Sequence, residues 1–171
     1  AAALGIEVAN RLSRAAAHLG AGTTDLSPRC LRVPAAHYTS APQLEREVEQ
    51  LFRKQPLLVG LTPDVPSPGS FMTHEALDTA LLIVRGDDNT VRAFINACRH
   101  RGTRIAEGRG TKRTFSCPFH AWNFSREGRL ISRPNSCGGF DSTGAEFDAL
   151  LERPCVEVAG MIFVLLDGDG I

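Results

Sequence analysis

The chain has 171 residues, of which 43% are hydrophobic and 22% charged, so it can bury a core and is too apolar to be disordered. Lys and Arg together number 19, as do Asp and Glu, and this balance gives no indication of a nucleic acid or an anionic membrane as partner. No apolar run approaches the roughly 18 residues that span a bilayer. The odd cysteine count, five, predicts free thiols in a reducing, cytoplasmic compartment.

The first 55 residues predict a helical arm. Apolar residues recur at three- and four-residue steps from Leu4 to Leu19, which is typical of an amphipathic helix. Residues 21–39 follow as an extended connector. Ser40 and Gln43 then predict a capping box for a second helix, and Pro56 ends it. The predicted buried stripe of this helix is Leu44, Val48, Leu51 and Phe52.

Residues 56–171 predict a mainly β domain, because short apolar runs alternate there with turn residues. Such closely spaced runs are typical of an antiparallel sandwich or a small barrel. One short helix is expected between the capping box of Thr143 and Glu146 and Pro154. The predicted strands are Leu57–Gly60, Ser70–Thr73, Ala80–Arg85, Val91–Asn96, Arg113–Ser116, Trp122–Phe124, Arg129–Ser132, Cys155–Ala159 and Met161–Leu166.

Two pairs of metal-ligating residues follow directly on predicted strands. Cys98 and His100 form a C-x-H motif, Cys117 and His120 form a C-x-x-H motif, and sixteen residues lie between His100 and Cys117. Each pair is therefore expected on a loop at the tip of a hairpin, where a rigid sheet can direct both loops to one point.

This donor set suits a Rieske [2Fe–2S] cluster, in which two thiolates hold one iron and two imidazoles hold the other. Cys98 and Cys117 would bind the inner iron, and His100 and His120 the outer iron near the surface. A structural zinc ion also accepts two Cys and two His, which would make the chain a zinc-stabilised binding module. The alternation of Cys and His, and the helix-breaking Pro118, favour iron and sulfur.

The two loops carry a family resemblance. Cys98–Gly102 and Cys117–Trp122 resemble the cluster loops of Rieske non-haem iron oxygenases, the aromatic-ring-hydroxylating type, in the N-terminal part of their alpha subunits. Pro68-Gly69, Val84–Asp87 and Ala93–Asn96 are also similar to that family. Ala121 departs from the pattern, since the family usually has Gly at this position.

The resemblance implies an antiparallel β-sandwich with a small cluster-binding subdomain over residues 56–171, preceded by N-terminal helices, and a one-electron transfer function. It also implies a catalytic domain with mononuclear Fe(II) held by two His and one carboxylate. No histidine follows His120, so no catalytic residue is expected in this chain, and that domain is expected outside it. The alternative is a stand-alone Rieske ferredoxin.

The resemblance further implies partners. These are an NAD(P)H-dependent reductase or a ferredoxin as electron donor, the catalytic domain of the same or a neighbouring subunit, and a homotrimer in the full-length form. A cluster of basic residues could dock an acidic donor or could be an ordinary solvated face. Its members are Arg99, Arg101, Arg104, Arg109, Lys112 and Arg113.

Four further residues are expected around the cluster: Arg101, Gly102, Pro118 and Trp122. Arg101 would bond a nearby carbonyl or a partner's acid, or would be plain surface charge. Trp122 is expected in the core, covering the cluster from the sheet side. The remaining thiols divide by place: Cys155 is expected to be buried in a strand, and Cys30 and Cys137 to be exposed on loops.

Overall fold

The computed structural model describes residues 2–26, 29–134 and 148–167, and the chain forms two compact units, residues 1–39 and 40–171. The first unit contains α1 (Ala2–Ala21) and the short α2 (Ala36–Thr39), which lies within the stretch predicted to be extended. Leu12 and Leu19 of α1 are 66% and 86% exposed. No helix of the described chain combines the length and apolar character needed to cross a bilayer. The sequence boundary after residue 55 stays a prediction.

The second predicted helix begins at the expected residue but is capped differently. It comprises α3 (Ala41–Glu47) and a π-helical turn, Val48–Phe52. The predicted capping box is wrong, because the Ser40 side chain makes no capping hydrogen bond. The Ser40 carbonyl instead accepts the Gln43 N–H at 3.1 Å. A proline, with no N–H to offer, occupies one of the two positions that a capping side chain would reach.

The predicted buried stripe of this helix is also wrong. Leu44, Leu51 and Phe52 are 58%, 52% and 41% exposed, and Val48 is half-buried. The π-helical turn adds a residue to the helical repeat, so the last two positions no longer align with the first. Leu44 precedes this turn and is exposed as well, so the whole stripe lies largely on the surface of the described residues.

Eleven strands of the described chain form three antiparallel sheets. The central sheet has five strands in the order β5-β2-β3-β4-β9, and two three-stranded sheets have the orders β1-β11-β10 and β6-β7-β8. The strands are β1 (Leu57–Leu61), β2 (Ser70–Ala76), β3 (Thr79–Arg85), β4 (Val91–Ile95), β5 (Arg109–Thr111), β6 (Phe115–Ser116), β7 (Asn123–Phe124), β8 (Leu130–Ser132), β9 (Glu152–Arg153), β10 (Cys155–Val158) and β11 (Met161–Val164).

All nine predicted strands are present, and two short strands were missed. Strand β5 is polar and exposed throughout, so it has no apolar alternation to detect. Strand β9 lies where the short helix was predicted. The start of that helix, at Thr143, lies outside the described residues. Its described end is wrong, since the Leu150 N–H bonds the Gly128 carbonyl and extended β9 follows.

The central sheet is buried on both faces. Alternate residues of β3 enter two different cores: Leu82 and Val84 contact one, and Leu81 and Ile83 contact the other. The first core joins the central sheet to β6-β7-β8 and contains Cys98, Cys117 and Trp122. The second core joins it to β1-β11-β10. The candidate site therefore lies on one side of the central sheet only.

The outer face of the sheet β1-β11-β10 is apolar. Ile162 and Val164 are fully buried, and the alternation of a strand therefore turns Met161 and Phe163 to the opposite face. The cross-strand neighbours of these two residues are Leu58, Leu61, Val156 and Val158. Leu58, Leu61 and Val158 are each about half exposed (53%, 49% and 52%). We call these six residues the outer apolar face.

A buried ion pair ties the central sheet to β10. Arg85 is 4% exposed and donates two hydrogen bonds to the Glu157 carboxylate, at 2.8 and 3.0 Å. Its Nε and Nη1 groups also donate to the carbonyls of Val65 and Asn89. Hydrogen bonds from Arg85 and then from the Thr62 hydroxyl lower the pKa of Glu157. The pair is satisfied on both sides, so removing one partner leaves an uncompensated buried charge.

We expect Glu157→Gln to lower the free energy of unfolding by about 2–3 kcal/mol at pH 7. Because the folded pKa lies below the unfolded value, the stabilisation is complete above the ordinary glutamate pKa of about 4.3 and is lost as pH falls through the folded value. The stability difference between the wild type and Glu157→Gln should therefore shrink as pH falls below about 4.3 and vanish below the folded pKa. Urea melts between pH 3 and 7 measure this, and a constant difference across that range would contradict it.

Candidate functional site

The first motif lies on a tight loop between β4 and β5. The Gly102 N–H donates to the Cys98 carbonyl, and the Cys98 N–H donates to the Thr103 carbonyl, both at 2.8 Å. Gly102 has φ +73°, a left-handed conformation that glycine adopts without strain. The expected hairpin is wrong for this loop, because β4 and β5 are not neighbours in the central sheet.

The second motif repeats this design at the tip of the β6–β7 hairpin. The Ala121 N–H donates to the Cys117 carbonyl at 3.0 Å, and the Cys117 N–H donates to the Trp122 carbonyl at 2.8 Å. Ala121 has φ +55° and occupies the place that Gly102 occupies in the first loop. Backbone hydrogen bonds within each loop are therefore enough to close it, without a contribution from a cofactor.

The left-handed Ala121 carries a conformational cost that glycine would remove. We expect Ala121→Gly to raise the free energy of unfolding by about 0.5–1 kcal/mol, since the relief of strain outweighs the added chain entropy. Ala80→Gly, in the regular strand β3, should instead lower it by about 0.5–1 kcal/mol. Thermal or urea melts compare the two variants, and destabilisation by both would contradict the expected strain.

Asn96 fixes the start of the first loop. It is 2% exposed, and its carbonyl oxygen accepts the N–H groups of Ile105 and Ala106 at 3.1 and 3.2 Å. Its amide donates to the Ala106 carbonyl at 2.8 Å. Asn96 therefore joins the two ends of the segment that holds Cys98. Sequence reasoning missed this role, although a polar residue at the end of an apolar strand was a visible signal.

The two sulfurs of the motifs lie together inside the first core. Cys98 and Cys117 are 3% and 4% exposed, and their thiols are in hydrogen-bonding contact. Burial, above all, raises the pKa of Cys98, while the N–H groups of His100 and Arg101 act against this shift. Binding a metal here would release the thiol protons.

The two imidazoles lie together on the outer side. The ring centroids of His100 and His120 are 4.7 Å apart, with His100 half-buried and His120 exposed. Burial, followed by the charges of Arg101 and His120, lowers the pKa of His100, which favours the neutral ring that metals bind. Within the described residues, no group of three or more His, Cys, Asp or Glu side chains is placed to share a single ion. The donors are grouped by kind, sulfur with sulfur and nitrogen with nitrogen.

Aromatic rings surround the imidazoles. Trp122, 2% exposed, stacks on His100 with a centroid separation of 5.0 Å and an interplanar angle of 9°. Phe119, 57% exposed, lies 4.0 Å from the His120 ring, and the Arg101 guanidinium lies 5.8 Å from the Phe119 centroid. Trp122 lies in the core as expected, and Gly102 and Pro118 are exposed on the loops. Sequence reasoning did not single out Phe119.

Comparison with known proteins decides the family. Residues 55–140 match the model of the Rieske [2Fe–2S] domain, which is half of the chain. The chain belongs to the Rieske [2Fe–2S] domain family. The antiparallel sheets of this Rieske domain agree with the fold that the sequence predicted.

Its relatives are oxygenase subunits. The Rieske domain is 33% identical over 135 residues to the carnitine monooxygenase oxygenase subunit of Acinetobacter baumannii, covering 78% of the chain and 36% of the relative. It is 34% identical over 134 residues to the biphenyl 2,3-dioxygenase subunit alpha of Rhodococcus jostii, covering 77% and 29%. The chain thus spans about a third of the length of these relatives. The aromatic substrates implied by the resemblance are matched by the biphenyl enzyme but not by the carnitine enzyme.

Solved structures agree with these relatives. A quaternary ammonium Rieske monooxygenase, described for carnitine oxidation and inter-subunit electron transfer, superposes with a TM-score of 0.74 at 32% identity, covering 81% of this chain and 38% of that one. Naphthalene 1,2-dioxygenase from Rhodococcus sp. superposes with a TM-score of 0.69 at 27% identity, covering 79% and 31%.

The basic residues near the Rieske loops are partly neutralised. Arg104 contacts Glu75 at 2.7 Å, and Arg109 contacts Asp64 at 3.2 Å. Lys112 lies 5.3 Å from the Phe71 ring centroid. These ion pairs favour the interpretation of Arg104 and Arg109 as ordinary solvated surface charges. Arg101 is exposed and lies next to Phe119, beside the imidazoles.

The remaining thiols differ in their exposure. Cys30 is exposed, as expected, and Cys137 lies outside the described residues. Cys155 is only half-buried, although burial raises its pKa to about 11.

Proposed function

We propose that Cys98, His100, Cys117 and His120 are the ligands of the Rieske cluster, with the two thiolates on the inner iron and the two imidazoles on the outer iron. The observation that carries this assignment is the grouping of the donors by kind, two buried sulfurs together and two imidazole rings 4.7 Å apart. A single tetrahedral zinc ion would need all four donors around one point, so the same grouping speaks against zinc.

The cluster, when bound, supplies a one-electron couple whose potential lies above that of all-cysteine clusters. The residues of the chain supply its surroundings. The buried thiols keep the sulfur side of the site away from water, and the exposed His120 and Phe119 place the nitrogen side at the surface. Electrons would therefore enter and leave on the imidazole side.

We further propose that this domain accepts electrons within a Rieske-type oxygenase, from an NAD(P)H-dependent reductase or a ferredoxin. It would pass them to a catalytic domain with mononuclear Fe(II), in the same or a neighbouring subunit of a homotrimer. Support comes from the oxygenase relatives, and from the inter-subunit electron transfer described for the quaternary ammonium monooxygenase. The outer apolar face suits a domain that is covered by another part of a larger protein. A cytoplasmic location belongs to the same proposal.

Spectroscopy and metal analysis of the anaerobically reconstituted chain test the ligand assignment. We expect two irons and two labile sulfides per chain, visible colour, and an EPR signal that appears on reduction with dithionite. Stoichiometric zinc without sulfide, and no EPR signal, would mean a zinc module instead. The complete reading frame tests the oxygenase proposal, which requires two further His and a carboxylate for the second iron site.

A further inference from the structure

A row of four side chains leads from the protein surface to one of the proposed cluster ligands. Asp148 forms an ion pair with Arg133 at 2.5 Å, and the Arg133 guanidinium carbon lies 5.0 Å from the Trp122 ring centroid. Trp122 in turn stacks on His100 with a centroid separation of 5.0 Å. We call these residues the Asp148–His100 row.

The row connects parts of the chain that are distant in sequence. Trp122 closes the second loop, yet it stacks on His100, which belongs to the first loop. Arg133 directly follows strand β8, and Asp148 lies fifteen positions later, shortly before strand β9. Trp122 therefore links the two loops, and Arg133 holds the ring that makes this link.

The charges of the row lie in unequal surroundings. The side chain of Arg133 is 17% exposed and that of Asp148 is 57% exposed. Water therefore screens the carboxylate more than the guanidinium, and the net effect at His100 is positive. The Arg133 guanidinium carbon is 5.0 Å from the Trp122 ring centre, which is itself 5.0 Å from the His100 ring centre. The guanidinium therefore lies within about 10 Å of the His100 ring centre.

We infer that Arg133 is a positioning residue for Trp122 and His100, and that its charge raises the reduction potential of the cluster. This inference rests on the proposed function, because it takes His100 as a ligand. One-electron reduction adds one negative charge to the cluster, and a fixed cation nearby stabilises the reduced form. Asp148 opposes this effect and at the same time holds the guanidinium in place.

Three substitutions in the full chain separate charge from structural support. Arg133→Met removes the charge and keeps most of the length, and we expect it to lower the ratio of reduced to oxidised protein at a fixed potential by about three- to tenfold. This is about 30–60 mV, at 59 mV per tenfold for one electron. Asp148→Asn should raise the ratio of reduced to oxidised protein, by a smaller factor than that by which Arg133→Met lowers it. Arg133→Lys keeps the charge and should restore most of the wild-type potential.

The measurement is a mediator titration or film voltammetry of the reconstituted protein, with Arg129→Met as control. Arg129 is exposed and directly precedes the same strand, β8. The Arg129→Met substitution removes the same charge as Arg133→Met, and we expect it to leave the reduction potential almost unchanged. Equal potentials for wild type, Arg133→Met and Asp148→Asn, or shifts in the same direction for both variants, would overturn the inference. If Arg133→Met does not take up iron, Asp148→Asn decides alone, and an unchanged or lower potential overturns it. A wild type without a Rieske EPR signal would instead refute the proposed function.

Discussion

Replacing either Cys98 or Cys117 by Ser should abolish the cluster, with iron and labile sulfide falling to background and the dithionite-dependent EPR signal disappearing. Each sulfur lies in the buried half of the proposed site, where no other thiol of the described residues is placed to take over. A serine hydroxyl is a poor donor to iron beside sulfide, since it would have to lose its proton in an apolar setting. The measurement is iron and sulfide analysis together with EPR.

Cys155→Ser and Cys30→Ser are the matched controls for these two variants. Cys155 is half-buried in β10 and Cys30 is exposed, and neither belongs to the C-x-H or the C-x-x-H motif. We expect both controls to keep wild-type iron and sulfide. Full cluster content in Cys98→Ser or Cys117→Ser would refute the ligand assignment, even though the family membership would stand.

Asn96→Leu should destabilise the domain by about 3–5 kcal/mol and reduce the amount of cluster that it retains. The substitution removes three hydrogen bonds and leaves the buried N–H groups of Ile105 and Ala106, and one carbonyl, without that partner. Each such loss costs about 1–3 kcal/mol in a buried setting. Urea melts of the metal-free protein give the stability, and iron content after gel filtration gives the retention.

The exposed Asn10 of α1 provides the control, and Asn10→Leu should change neither quantity measurably. If Asn96→Leu lowers stability and yet binds iron as tightly as the wild type, the first loop does not depend on Asn96 for its shape. The contribution of Asn96 would then be to the fold alone.

The loops of the site were predictable because their chemistry is local. A C-x-H and a C-x-x-H motif, each directly after an apolar run, sufficed to predict that Cys98, His100, Cys117 and His120 lie on two loops that meet. The longer strands were equally predictable from the sequence. Strand β3, for example, is a continuous apolar run, as expected of a strand that is buried on both faces. Short strands without apolar alternation, such as the exposed β5, carry no such signal.

The contacts that support the site were not predictable, because they join distant parts of the chain. Arg133 and Trp122 are eleven positions apart and meet only once β7 and β8 pair. The helical spacing of Leu44, Leu51 and Phe52 indicates an apolar stripe, but it does not show whether another element covers that stripe, and all three side chains are exposed. Hairpin logic also failed for the first loop, because the neighbours of a strand are set by the whole sheet and not by chain order.

The two proposed ligand pairs belong to different sheets, so the site forms only when these sheets join. Cys98 and His100 lie on the loop that follows β4 of the central sheet, whereas Cys117 and His120 lie in the hairpin of a separate small sheet. A chain in which these sheets have not yet joined presents two incomplete sites, each with one sulfur and one nitrogen. The cluster would therefore be bound only after the two sheets have joined, because neither half alone offers the four donors that it needs.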